Sequence, residues 1–163
     1  MRANRALLGL ALLSQIALAA AIDNPAIDIE GYQRMVNEVV GQRQSHRISE
    51  EEFIRLSRLP GTVILDARSR AKYDLLHVRG AVNVSFSDLT VDSLAATVPD
   101  KNTRILIYCN NNFGDAPDPM PSKLPMAALN HATYTTLYTY GYRNIYELGP
   151  LLSVRTTKIE LVP

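Results

Sequence analysis

The chain has 163 residues, 47% of them hydrophobic and 20% charged, with 17 Lys and Arg against 16 Asp and Glu. This length gives one ordinary domain with room for a proper core. The near-neutral balance, with no basic stripe and no run of like charges, excludes a protein held to nucleic acid by phosphate contacts. The single cysteine, Cys109, excludes an internal disulfide.

Residues 1–21 read as a secretory signal peptide: Arg2 and Arg5 form a basic start, an apolar run follows from Ala6 to Ile16, and Ala17-Leu18-Ala19 offers a small-x-small cleavage site. The apolar run is short for a membrane span, so the chain is expected to carry no span once the signal is removed. Export to a bacterial periplasm is the expected destination. Without Arg2 and Arg5, 15 cations face 16 anions. An unpaired thiol in an oxidising compartment must be buried, paired between chains, or used.

Residues 22–48 form an N-terminal extension with one helix, since Tyr32, Met35, Val39 and Val40 recur at helical spacing. Ser49 and Glu52 form a capping box for a short helix carrying Phe53, Ile54 and Leu56, which ends before Pro60-Gly61. Thr62 to Leu65 is a strand with Asp66 at its carboxyl end, and Ser69 to Leu75 a helix. Ala81 to Val84 is a short strand and Ser93 to Val98 a short helix. Arg104-Ile105-Leu106-Ile107-Tyr108 is a buried strand delivering Cys109 to a loop. Ala127 to Tyr140 is a helix closed by Gly141, and Asn144 to Leu148 is a final strand. Alternating strands and helices predict an α/β fold, a mostly parallel sheet with helices on both faces. Residues 151–163 are a tail, either an added strand or a loose end.

Chemistry in such sheets gathers beyond the carboxyl ends of the strands. Cys109 is there, where helix-end N–H groups favour a thiolate. The plainer reading is a small buried hydrophobe ending a strand. His46 lies near a helix end and His131 two positions from Leu129; neither has metal-ligand spacing with Cys109, so no zinc site is expected.

Four segments in order carry a resemblance. Ile64-Leu65-Asp66-Ala67-Arg68, the stretch from Tyr73 through His77, Gly80-Ala81 and Asn83, Ile107-Tyr108-Cys109, and Tyr140-Gly141-Tyr142 through Leu148 resemble the rhodanese family's successive motifs. The resemblance covers residues 49–150 and implies a rhodanese-like fold. It further implies that Cys109 accepts a sulfane sulfur as a persulfide and passes it on, with no metal or organic cofactor. The donor would be a persulfide or thiosulfate, and the acceptor a thiol or a protein. Asp66, Arg68 and His77 are expected to be structural supports, His77 as a turn or helix-end hydrogen bonder.

The chain departs from the family at the loop after the cysteine. Fifteen residues, Asn110 to Leu124, separate Cys109 from Pro125 in place of a tight cradle. Asp115 stands where a basic residue often closes that cradle, and Pro117, Pro119 and Pro121 lack N–H donors. A carboxylate near the sulfur would raise its pKa and repel a small anion. Asn110, Asn111, Asn112 and Phe113 are the candidates for a compact nest, with the rest of the loop projecting as a flap and Lys123 folding back to the sulfur. The competing function is a non-catalytic rhodanese-like module whose 110–124 loop docks an envelope protein partner.

Overall fold

The computed structural model describes residues 24–163; the signal-peptide segment expected at 1–21 lies outside the described residues. Five strands form a parallel sheet in the order β1-β7-β5-β2-β4. Their ranges are β1 Arg47–Ile48, β2 Thr62–Asp66, β4 Val82–Asn83, β5 Arg104–Tyr108 and β7 Ile145–Leu148. Helices α1 (Ile29–Ser45), α2 (Glu50–Ser57), α3 (Arg70–Leu75), α4 (Val91–Thr97) and α5 (Leu129–Thr139) complete the alternation.

Side chains alternate across a strand, and β5 divides the core accordingly. Ile105 and Ile107 join Val39 of α1, Leu94 of α4 and Leu137 of α5 on one face. Leu106 and Tyr108 join Phe53 and Leu56 of α2, Phe113 and Met120 on the other. Helices therefore cover both faces, as the alternation predicts.

Three of the described α-helices begin at a side-chain cap. Ser49 accepts a hydrogen bond from Glu52 N and starts α2. Thr90 and Ser93 form a reciprocal capping box that starts α4 two residues before the predicted Ser93. Asp28 accepts from Gly31 N and starts α1 at Ile29, well before Tyr32. Gly141 follows the end of α5 with φ +93°, a conformation that L side chains rarely adopt.

The elements absent from the sequence reading are two-residue pairings, too short to show periodicity. They are β1, parallel to β7 at the edge of the main sheet, β3 (His77–Val78) with β9 (Leu161–Val162), antiparallel, and β6 (Phe113–Gly114) with β8 (Leu152–Ser153), parallel. The tail thus adds two short strands, β8 and β9, and Ile159 between them in the chain is buried. No helix among the described residues is long and apolar enough to cross a membrane.

Candidate active site

Strands β2 and β5 end in register, Asp66 opposite Tyr108, and a buried ion network locks that end. Arg68 donates to both Asp66 carboxylate oxygens, to Leu76 O at 2.7 Å and to Pro119 O at 3.0 Å. The Tyr108 hydroxyl donates to Asp66 Oδ2 and accepts from Val78 N at 3.0 Å. Burial first, then the Asp66 charge, pushes the Tyr108 phenol far up, so it remains a donor. Asp66 and Arg68 thus fix the strand ends rather than face a cavity with the thiol. His77 Nδ1 donates to Tyr73 O at 3.0 Å and its ring stacks on Tyr73 at 3.7 Å, at the end of α3.

The same network holds down the long loop, which is no projecting flap. Arg68 takes the Pro119 carbonyl, Lys72 Nζ donates to Asp118 O at 2.6 Å, and Met120 is 1% exposed in the second core. Phe113 is buried edge-on against Tyr108, 5.9 Å between centroids, and belongs to the core rather than to a cradle.

The three asparagines after Cys109 form a turn of 3-10 helix and work mainly through their side chains. Asn110 donates to Pro121 O at 2.9 Å. Asn111 donates to Lys123 O at 2.7 Å and accepts from Lys123 N at 3.1 Å. Lys123 is therefore held by its backbone, and it lines a neighbouring cavity with Lys72, Phe86 and Asn110 instead of reaching the sulfur. Asn112, 5% exposed, is the hub. Its Oδ1 accepts from Cys109 N at 2.9 Å and Asn130 Nδ2 at 3.0 Å, while its Nδ2 donates to Leu148 O at 2.7 Å and Pro150 O.

Cys109 lies on the face of β5 shared by Ile105 and Ile107, beneath the start of α5. The cap position of that helix is Ala128, which has no side-chain acceptor, so first-turn N–H groups are left without partners. The sulfur lies near that place, and the backbone N–H groups of Asn130, Asn111 and Leu129 act to lower its pKa. The cradle is therefore assembled from two separate segments, Asn111 and the start of α5. A cavity of about 290 Å³ opens at Cys109, lined by Arg43, Arg47, Asn111, Asn130, His131 and Glu147 among others.

Burial outweighs the cradle. The Cys109 thiol is 1% exposed, and its pKa is raised: burial raises it most, the N–H groups of Asn130 and Asn111 lower it, and the Glu147 charge raises it again. This corrects the expectation of a helix-end thiolate. It also replaces Asp115 with Glu147 as the carboxylate acting on the sulfur. Alkylation of the native protein by iodoacetamide should therefore rise with pH through a midpoint above the ordinary thiol value. The folded state keeps its proton longer than the unfolded chain, so this group favours folding below the ordinary thiol pKa. That contribution is lost as pH rises towards the raised native value. A native alkylation midpoint below the ordinary value would contradict this arrangement.

Sequence reasoning missed Glu147, Arg43, Arg47 and Asn130. Glu147 is 3% exposed and receives Arg43 through two bonds, Nε at 2.5 Å and Nη2 at 2.7 Å. A signal was present: Glu147 shares the inward face of β7 with Ile145, an apolar position by alternation. His46 ends α1, its Nδ1 donating to Gln42 O, and His131 Nε2 donates to Pro125 O at 3.0 Å. Among the described residues no three His, Cys, Asp or Glu side chains are grouped to hold a metal.

Comparison with known proteins agrees with this architecture. The rhodanese-like domain model matches residues 49–148, and the chain belongs to that family. The thiosulfate sulfurtransferase PspE of Escherichia coli K12 is 37% identical over 46 residues, 28% of this chain and 43% of that protein. The match thus spans less than half of that relative. The solution structure of the rhodanese-like domain of the Anabaena protein Alr3790 superposes with a TM-score of 0.52 at 20% identity, covering 72% of this chain and 78% of that one. A thiosulfate sulfurtransferase from Pseudomonas aeruginosa gives 0.50 at 20% identity over 78% of this chain and 22% of that one. Both structures share the fold.

Proposed function

We propose that this protein transfers sulfane sulfur through a persulfide on Cys109, from an anionic or persulfide donor to a thiol or protein acceptor, outside the cytoplasm of a bacterium. The supporting observation is the sulfur at the floor of a cavity, facing N–H groups from two chain segments. Such groups stabilise an anion at Sγ, whether the thiolate or the persulfide that replaces it. The Cys109 thiolate attacks the outer sulfur of thiosulfate; a bond forms from Sγ to that sulfur, and the donor's S–S bond breaks with its electron pair leaving on sulfite. An acceptor thiolate then attacks the outer persulfide sulfur, and Cys109 leaves as thiolate. Both steps conserve charge and need no redox partner.

The burial of Cys109 favours a second reading, a rhodanese-like binding module for an envelope protein. Exposed Leu124, Met126 and Leu151, on segments flanking the cavity, are its natural contact points. Turnover separates the two. Sulfur should pass from thiosulfate to a thiol acceptor with the native chain and fail with Cys109→Ser. Equal rates for the two proteins would overturn the proposal.

A further inference from the structure

The cations beside Cys109 come from neither the loop nor the family-matched region. Arg43 and Arg47 lie in α1 and β1, ahead of residue 49 where the family match begins. Register puts them there. Arg47 pairs with Glu147 across β1 and β7, and Arg43 stands one helical turn earlier at the end of α1.

The two guanidiniums are used differently. Arg43 is committed to the buried Glu147 by two short bonds, so its charge is balanced. Arg47 approaches Glu147 only to 3.8 Å, its side chain is 49% exposed, and its one hydrogen bond is from Nη2 to Gly149 O at 3.1 Å. Gly149 permits this close joint, since a Cβ there would lie 3.1 Å from Ile48 O. Its other guanidinium N–H groups have no hydrogen-bond partner among the described residues, and Arg47 lines the cavity that holds Cys109. In the loop, by contrast, Asp115 and Asp118 face one cation, Lys123, which lines a different cavity.

We propose that Arg47 is an oxyanion subsite supplied by the N-terminal extension, holding the sulfonate end of an anionic donor while the donor's outer sulfur meets Cys109. A planar guanidinium with unused N–H groups suits a sulfur oxyanion as it does a carboxylate or phosphate. Arg47 thus selects donors that carry an oxyanion over those that do not. This rests on the sulfur-transfer reading.

The test compares Arg47→Met with the native residue, using thiosulfate and an alkyl persulfide that has no oxyanion. The ratio of Cys109 loading rates, thiosulfate over persulfide, should fall about tenfold, as expected for losing a hydrogen-bonded charge contact. Arg47→Lys, which keeps the charge, should recover part of it. An unchanged ratio overturns the subsite. Loading from neither donor in the native protein is the distinct failure of sulfur transfer itself. In that event thiosulfate binding to Cys109→Ser, measured by titration calorimetry, decides the subsite. Affinity weakened about tenfold by Arg47→Met upholds it, and absent or unaltered binding overturns it.

Discussion

Replacing Arg68 with methionine should lower the unfolding free energy by about 3–5 kcal/mol, the range for breaking a buried ion pair from one side. Arg68 is 2% exposed and Asp66 is fully buried. Methionine preserves much of the volume but strands a carboxylate whose remaining donors are the Tyr108 hydroxyl and the backbone N–H of residue 68. The change also frees the carbonyls of Leu76 and Pro119, so the loop carrying Met120 loses its anchor. The double variant Asp66→Leu with Arg68→Met should cost less than Arg68→Met alone, because no charge remains stranded. Urea unfolding followed by far-ultraviolet circular dichroism measures both. A loss under about 1 kcal/mol for Arg68→Met, the scale of a surface pair, would contradict this role.

Asn112→Ala should damage stability and sulfur chemistry together. One side chain serves four buried or half-buried groups: Cys109 N, Asn130 Nδ2 and the carbonyls of Leu148 and Pro150. Truncation leaves several without partners, at about 1–3 kcal/mol for each group that water does not reach. It also uncouples Cys109 from the start of α5, where Asn130 is held. The expected outcome is a loss of about 2–4 kcal/mol and loading of Cys109 slowed by about tenfold or more, since misplaced groups commonly cost that and more. Asn112→Asp distinguishes geometry from charge. It keeps an acceptor for Cys109 N but adds a carboxylate beside a thiol already opposed by Glu147. Its alkylation midpoint should move further up. Native loading kinetics in Asn112→Ala would show that the hub is not needed.

The alternation of strands and helices could be read because each central element carries its own local signal. The Arg104–Tyr108 run stands alone as a strand, and Ser49 with Glu52 marks a helix start without any tertiary information. Cys109 could be placed at a strand end for the same reason. Its surroundings could not. The N–H groups that lower its pKa come from Asn111 and from Leu129 and Asn130, some twenty residues on. They converge through Asn112 and the Asn130 side chain, a contact that no spacing rule encodes. The expectation of a cradle within residues 110–113 applied local turn chemistry to a site built from long-range contacts.

Charge shows the same limit. Composition places Asp115 and Asp118 near the cysteine in sequence, whereas strand pairing places Glu147, Arg43 and Arg47 near it in space. The two-residue strand β1 does this, and two residues carry no periodicity. The prolines that removed donors from the loop have a structural outcome as well. Pro119 and Pro121 contribute carbonyls to Arg68 and Asn110, so a segment poor in N–H groups is held through its acceptors.

Intact-mass spectrometry of the native protein after exposure to thiosulfate or an alkyl persulfide, beside Cys109→Ser, tests the persulfide itself. The arrangement around Cys109 predicts a gain of one sulfur on the native chain alone, removed by a thiol. An unchanged mass with both donors, with Cys109 unreactive to alkylation until the protein unfolds, would contradict sulfur transfer and leave the binding module.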